Sequence, residues 1–412
     1  MSPWAILALY VGALCPRTVA LQFDNNRKGA ELQSGLVNTS DHNSGIKSTP
    51  WVPYLDVGSG KLLGEGGFGQ AFSYKLKDPC EGSVVVKQIK PNSTVTNADM
   101  QREITTLYAF QEHPHILKLY DHFPRSQKDW FGTETGQAPL QLLTEAALGG
   151  ELKHAFDVQS SSSRSSSMES FLLYWNPDAI RHHRLQKKTK VVLMMAKELL
   201  AGLKHMHDNG YLHRDIKPEN LWAADAGRKC VKDMSCRYLI GDLGLAIKES
   251  EFTKDVSCAG TLEYMPFGVD NTTKKLTAQC RQGSAGDVFS LGFSLAEVMA
   301  LPETNYHRPL TAGRSDIFDE INKAAKTAKA TAARTAARTA TPRLVQLLLK
   351  MVDVHPETMK EVDPNERPTA DVALTEVRSI INDVMPDFPA ALAQDEDSNE
   401  PPCLTELLKN LP

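Results

Sequence analysis

Apolar side chains recur along the chain at two different spacings, which separate strand-like from helix-like stretches. From Lys61 to Lys90 the pattern reads strand, Gly-rich turn, strand, with Val84, Val85 and Val86 as a buried β-branched run. A helix follows, capped by Thr96 with Asp99 three residues on, and striped by Ile104, Leu107 and Tyr108. The strongest helical period lies further on, where Val192, Met195, Ala196, Leu199, Leu200, Leu203 and Met206 repeat at three and four residues. Such a stripe faces a core. Another apolar run, Leu344 to Met351, resumes it.

The flanks and interruptions read differently. Trp4 to Leu14 is uncharged and apolar but too short to span ~30 Å of hydrocarbon as a helix. Thr18-Val19-Ala20 then offers the small residues a signal peptidase needs, so residues 1–20 read as a secretory signal cleaved after Ala20. No other stretch is apolar enough to span a membrane, so no transmembrane segment is expected after cleavage. Residues 21–56, rich in Asn, Ser, Gly and charge, read as a flexible leader, and 391–412 as a C-terminal tail. The Ser-rich run from Ser160 to Ser167 opens an insertion, 158–190, that continues through the basic Arg181-His182-His183-Arg184, Lys187, Lys188 and Lys190. A surface loop is expected there. In the Ala/Thr-rich insertion 322–341, Lys323, Lys326, Lys329, Arg334 and Arg338 fall on about half the circumference of a helix, which reads as solvated.

Composition narrows the classes. With 41% apolar and 23% charged residues in 412, the chain is globular, and 46 basic against 50 acidic residues leave no nucleic-acid footprint. Six of seven cysteines follow the signal: Cys80, Cys230, Cys236, Cys258, Cys280 and Cys403. A bridge between Cys230 and Cys236 is within geometric reach across a short polar stretch, and free thiols are the alternative. Their spacing with histidine suggests no zinc site. Asn38, Asn92 and Asn271 are glycan acceptors if the chain enters the secretory pathway.

The chemistry lies in five spaced motifs. Leu63-Gly64-Glu65-Gly66-Gly67-Phe68-Gly69-Gln70-Ala71 spaces three glycines so that backbone N–H groups can approach a phosphate without Cβ interference. Lys87 follows at the end of the Val run, then Glu103 on the next helix. After these come His213-Arg214-Asp215-Ile216-Lys217-Pro218-Glu219-Asn220 and Asp242-Leu243-Gly244. In this order the motifs resemble those of the eukaryotic protein kinases, from about Val57 to Asp383.

The resemblance implies an α+β, bilobal protein-kinase fold: a small antiparallel β-sheet lobe, 57–145, and a larger mainly helical lobe, 146–390, with the nucleotide in the cleft. ATP and Mg²⁺ are the implied cofactors. Lys87 would hold the α- and β-phosphates and pair with Glu103, while Lys217 would neutralise the transferring phosphoryl. Asp215 would accept the proton of the substrate hydroxyl, and Asn220 and Asp242 would bind Mg²⁺. Leu63, Gly64, Gly66, Gly69 and Leu221 are assigned to the nucleotide site. The roof pair is exchanged relative to the family, Ala71 and Val85 standing in each other's usual places. Thr144, Glu145 and Ala147 fall on the base-binding segment, with Thr144 as a small gatekeeper, and Glu151 is placed for the ribose.

Lys217 before Pro218-Glu219-Asn220 resembles the serine/threonine branch, so the implied partner is a protein offering Ser or Thr hydroxyls. Gly260-Thr261-Leu262-Glu263-Tyr264 resembles the substrate-docking end of the activation segment, in which Thr261 would bond Asp215 and Lys217. Two departures stand out. Leu243 replaces a Phe, and Met265-Pro266-Phe267 lacks the acid that pairs with Arg367, so Asp270 or Glu263 must serve. Asp287 would hold the His213-Arg214 backbone, a helix cap being its plain alternative. Ser257 and then Thr253 are the implied phosphorylation sites, supplying an anion for Arg214. A signal followed by this set resembles the apicomplexan rhoptry kinases, which implies a secreted effector kinase. The rival readings are an ATP-binding pseudokinase scaffold, a small-molecule or sugar kinase of this fold and, without the signal, an ordinary cytosolic kinase.

Overall fold

β2 (Gly69–Leu76) buries Phe72, Tyr74 and Leu76, and β3 (Ser83–Ile89) buries Val84, Val86 and Ile89, so each strand turns alternate residues to one core. Val85 therefore lies on the other face, half-buried, instead of within a uniformly buried run. The computed structural model describes residues 49–66, 69–78, 80, 82–89, 97–124, 140–152, 177–224, 236–252, 259–269, 276–278, 283–300, 340–352 and 366–384. With β1 (Leu55–Gly66), β4 (Leu119–Phe123) and β5 (Gln141–Glu145), these strands make a five-stranded sheet of order β1-β2-β3-β5-β4. Its first three strands form an antiparallel meander.

Residues 49–56, read from the sequence as part of a flexible leader, are packed in the structure. Trp51 is wholly buried and donates its Nε1–H to Asp121 Oδ2 at 2.8 Å. Lys77 Nζ donates to the carbonyls of Val52 and Pro53. Burying the indole stabilises by roughly 2 kcal/mol, and its bonded donor leaves no polar atom of the ring unsatisfied.

The described residues divide into two compact units. The first holds β1 to β3, the end of β4 and β5 through Leu143; the second holds α1 (Asn97–Phe110) from Asp99 on, the start of β4 and the chain from Thr144. The sequence reading puts α1 with the small sheet lobe, but the helix clusters with the larger unit. Its Phe110 ring lies edge-on to His205 and Tyr211, at 5.7 and 5.1 Å between centroids. Thr96, its expected cap, lies outside the described residues.

In the second unit α2 (Pro177–Asp208) carries the long apolar stripe, and Val192, Met195, Leu199, Leu200, Leu203 and Met206 are all inaccessible. Helix α2 begins inside the segment read as a surface loop. Pro177 suits a first helical turn, and Lys, Arg, Gln and Leu then continue it at little cost. α3 (Gly283–Ala300), α4 (Ala340–Met351) and α5 (Ala370–Val384) complete the helical core. Thr341, the end of the Ala/Thr-rich insertion, is buried in α4 and shares a 2.8 Å hydrogen bond with Thr189; residues 322–339 lie outside the described set. The signal and tail segments lie outside it as well. No helix among the described residues is long and apolar enough to cross a membrane.

Three small sheets frame the loops that matter below. β6 (Gly150–Glu151), β8 (Leu221–Ala223) and β9 (Tyr238–Ile240) form one, in the order β6-β8-β9. β7 (Tyr211–Leu212) pairs with β10 (Ile247–Lys248), and β11 (Phe267–Val269) with β12 (Leu276–Ala278).

Candidate active site

The turn from His213 to Asn220, between β7 and β8, needs an unusual backbone: Arg214 has φ 71°. A left-handed conformation costs a non-glycine residue ~1–2 kcal/mol, so something must hold it. That holder is Asp287 on α3, only 2% exposed. Its Oδ2 accepts from His213 N at 2.8 Å and from His207 Nε2 at 3.0 Å, while Oδ1 accepts from Arg214 N at 2.8 Å. Since α3 begins at Gly283, Asp287 lies inside the helix and serves a distant turn instead of capping its own. Burial alone would raise its pKa, but the bonds from His207 and His213 more than offset that and hold the carboxyl below its ordinary value. The guanidinium of Arg214 is shifted down, chiefly by burial; Asp287 opposes this and the neighbouring Arg102 adds to it.

His213 locks the turn from within. Its Nδ1 accepts from Asp215 N at 3.2 Å, so the neutral ring carries its proton on Nε2, which donates to Gly241 O at 3.0 Å. Asp215 then stands among four donors. Oδ1 accepts from Thr261 N at 2.8 Å and Thr261 Oγ1 at 2.7 Å; Oδ2 accepts from Asn220 Nδ2 at 3.0 Å and lies 2.9 Å from Lys217 Nζ. Lys217 also donates to Thr261 Oγ1 at 2.8 Å. A carboxylate, an ammonium and a hydroxyl thus share one locus, suited to orienting a second hydroxyl and balancing negative charge beside it.

Asn220 uses its amide hydrogens on Asp215 O and Oδ2, at 2.8 and 3.0 Å, which turns its carboxamide oxygen the other way. The second oxygen donor assigned to the metal, Asp242, has φ 56° and opens a short 3-10 turn over Leu243–Leu245. Leu243 is fully buried, so the residue that replaces the expected Phe keeps its apolar contact. Glu103 reaches the same place: a Cβ built on Gly244 would lie 3.5 Å from its Oε2. In the first unit, Lys87 stands directly across from Ala71 in the β2–β3 pair, with Val85 on the same face. Leu63 and Gly64 are exposed on β1, while Gly66 and Gly69 pair at the turn between β1 and β2.

The segment after β5 is held from outside. Glu145 Oε1 accepts from Lys118 N at 2.8 Å, and Oε2 from Arg237 Nη2 at 2.6 Å. Arg237 also donates through Nη1 to Pro114 O at 2.8 Å, so one guanidinium ties three segments together. Thr144 is buried and donates to the carbonyl of Glu145 at 3.2 Å. Glu151 pairs with Trp222 across β6 and β8, whereas the side chain of Leu221 is wholly buried in the core. Ser257 and Thr253 lie outside the described residues.

Arg367 has a carbonyl and an aromatic ring among its contacts. It donates to the carbonyl of Ala285, and its guanidinium carbon lies 5.3 Å from the centre of the Phe289 ring. Of the two acids expected to pair with it, Asp270 lies outside the described residues and Glu263 is exposed. Beside it Tyr264 donates to Glu297 Oε2 at 2.7 Å. Burial first, then Glu297, Glu219 and Glu263, push the Tyr264 phenol far above its ordinary pKa, so it remains a donor.

Residues 58–377, well over half of the chain, match the protein kinase domain. This chain belongs to the protein kinase family. Similar proteins include a probable serine/threonine-protein kinase of Dictyostelium discoideum, 27% identical over 242 residues, 58% of this chain and 20% of that protein. An interferon-induced, double-stranded RNA-activated protein kinase of Rattus norvegicus is 25% identical over 279 residues, 64% of this chain and 46% of its own. Mitogen-activated protein kinase kinase kinase 3 of Arabidopsis thaliana is 30% identical over 171 residues, 40% of this chain and 28% of that one. The kinase chain spans less than half the length of these relatives. A protein kinase domain uses ATP and Mg²⁺, and two oxygen donors, the Asn220 carboxamide and the Asp242 carboxylate, fit a hard cation.

Sequence spacing gave no sign of Arg237, because its partner Glu145 is remote in the chain and no motif links the two. In the kinase domain that clamp fixes Glu145, at the start of the segment the sequence reading assigns to the base. Arg237→Ala is expected to raise the KM for ATP about tenfold, an effect of the size of one charge-assisted hydrogen bond discounted for partial exposure. Arg237→Lys should recover part of it. Initial rates over an ATP series would check this, and an unaltered KM would remove the clamp from nucleotide binding.

Proposed function

We propose that the chain is a secreted serine/threonine protein kinase that transfers the γ-phosphoryl of ATP to a Ser or Thr hydroxyl of a protein, as a rhoptry-type effector. The carrying observation is Asp215 and Lys217 both bonded to Thr261, an arrangement that presents a proton acceptor and a cation side by side. The substrate hydroxyl oxygen forms the new bond to the γ-phosphorus, the bond to the bridging oxygen breaks, and ADP leaves. Asp215 orients that hydroxyl and takes its proton; Lys217 offsets the charge on the moving group. Asn220 and Asp242 would hold Mg²⁺, which supplies charge neutralisation on the phosphates when bound. Lys87 and Glu103 are assigned to the triphosphate and its orientation, and Ser257, with Thr253 behind it, to activating phosphorylation.

Secretion is supported by the signal-like residues 1–20 and by Cys80 and Cys236, both disulfide-bonded, a state that persists in oxidising compartments. Rhoptry-type delivery rests on the pairing of that signal with a full kinase set.

Radiolabel transfer from ATP to generic protein acceptors tests the activity. Wild type should label a basic protein or casein, and Asp215→Asn should lose about 100-fold or more of that rate. ATP binding without transfer by wild type would refute the enzyme and leave a scaffold. Secreted material should begin at Leu21; retention of the full N-terminus in cytosol would refute the secretory reading.

A further inference from the structure

We propose that the stacked imidazoles of His113 and His205 form a proton-sensing clasp that holds the C-terminal end of α1 against α2 while both rings are neutral and releases it in acid. Its consequence for phosphoryl transfer rests on the kinase reading above; the clasp itself does not.

Geometry carries the first part of the argument. Where α1 ends, His113 N donates to Phe110 O at 3.0 Å and Ile116 N to His113 O at 3.2 Å, which turns the chain back onto α2. The His113 ring stacks on His205 of α2, with centroids 4.6 Å and planes 23° apart, and Phe110 closes the pile edge-on to His205. His113 Nδ1 accepts from His115 N at 3.2 Å, so that nitrogen must be bare. A proton placed there would confront an N–H. His115 is the fixed side of the clasp: it is buried, donates through Nδ1 to Tyr238 O at 3.2 Å, and accepts at its carbonyl from Ile240 N at 2.9 Å. At Gly202 of α2 a Cβ would come within 2.9 Å of that same carbonyl, so helix and segment meet backbone to backbone.

Charge carries the second part. Burial chiefly, then His205 and His115, push the His113 pKa down to about 3, and Glu112, the residue before it, is exposed. His205 is lowered chiefly by burial, with Lys204 adding and Asp208 opposing; Asp208 is itself bonded to Lys204. Around His115, burial chiefly, then Lys197 and Arg237, hold the ring down to about 4 against its bond to Tyr238 O. Glu198 Oε2 lies 3.6 Å from it and accepts from Tyr238 N at 2.7 Å. Behind Phe110, Tyr211 carries Lys248 Nζ 6.0 Å above its ring. The closed clasp therefore holds neutral rings at pH 7. A freed imidazole takes its proton near 6.5. Because the closed-state values lie below that, the clasp contributes fully above about pH 6.5, and its contribution fades as pH falls toward about 3. Between pH 6.5 and 5.5 His113 alone should shift the closed-to-open ratio about fivefold, and two freed rings up to about 30-fold.

The link to catalysis is α1 itself. Glu103 lies two turns before Phe110 on the same helix, about 10 Å along its axis, and its carboxylate lies beside Gly244. An unclasped helix end lets α1 carry Glu103 away, which confines phosphoryl transfer to media near or above neutrality.

The test uses the full chain as wild type, His205→Phe and the double variant His113→Asn/His205→Phe, in which Asn offers His115 N an acceptor and neither new side chain takes a proton. Amide hydrogen exchange, corrected for its intrinsic pH dependence, is followed over residues 110–117 and over α5 at pH 7.5, 6.5 and 5.5. Wild type should lose protection in 110–117 by about 5- to 30-fold between pH 6.5 and 5.5 while α5 is unchanged. The double variant should lose less than about twofold there, whatever its protection at pH 7.5, and His205→Phe should fall between. Phosphoryl transfer at saturating ATP and acceptor should drop in parallel in wild type, return on neutralisation, and persist to about one pH unit lower in the double variant. Wild-type protection in 110–117 that follows α5, or a double variant as pH-sensitive as wild type in either readout, would overturn the clasp. If wild type transfers no phosphoryl group at any pH yet shows the loss in 110–117, the clasp stands and the kinase reading fails.

Discussion

Replacing Gly260 by alanine is expected to cut phosphoryl transfer by about 100-fold while the protein stays folded. Gly260 sits at φ +117°, where an L side chain is strained, and a Cβ there would overlap the carbonyl oxygen of Arg214 and lie 3.1 Å from Met265 Cε. A backbone oxygen has no rotamer by which to move away. The segment must therefore back off, and the next residue, Thr261, supplies both contacts to Asp215 Oδ1 at 2.8 and 2.7 Å. A displacement near 1 Å at a proton acceptor is enough for a loss of that size. Rates at saturating ATP and acceptor, set beside Asp215→Asn, would check it. Wild-type rates in Gly260→Ala would mean that the Thr261 contacts do not position Asp215.

Asp287→Asn is the second large effect, and it should appear in stability as well as rate. Three N–H donors converge on the carboxylate, from His213, Arg214 and His207. An amide offers one oxygen and confronts a donor with its NH₂, so at least one buried donor is left without an acceptor, at ~1–3 kcal/mol each. The strained Arg214 backbone also loses its anchor. The pH dependence has a definite sign. Because folding depresses the pKa of Asp287, its stabilisation is complete above the ordinary carboxylate range, near 4, and fades as pH falls through and below it. The gap in stability between wild type and Asp287→Asn should thus be widest near neutrality and shrink in acid. Denaturant titrations at several pH values would show it, and a gap independent of pH would mean that Asp287 is not ionised in the folded protein.

Local chemistry was legible in the sequence, and long-range packing was not. Glycine spacing, the His213 to Asn220 run and Asp242-Leu243-Gly244 point to the kinase family because each motif requires particular residue types within a few positions. The contacts of Thr261 with Asp215 and Lys217 follow from the same motif logic. Position on a face is harder: Leu221 and Trp222 are equally apolar neighbours, and only the register of β8 against β9 decides which one turns inward. Helix α1 looked like part of the small sheet lobe by order along the chain, yet its Phe110 packs on His205 and Tyr211. The basic run after the Ser-rich stretch lacked an apolar stripe and so read as loop, although its residues continue a helix that packs further on. Arg367 illustrates the remaining limit. Charge counting demands an acid for it, whereas the fold also offers a carbonyl and an aromatic face.

Trp51 determines where a shortened version of the protein can begin. The family match starts at residue 58, but a recombinant fragment cut there discards an indole that is 0% exposed and removes the donor that Asp121 accepts from. It also strips Lys77 of two carbonyl acceptors. Truncation boundaries for crystallography or screening therefore belong at or before Thr49.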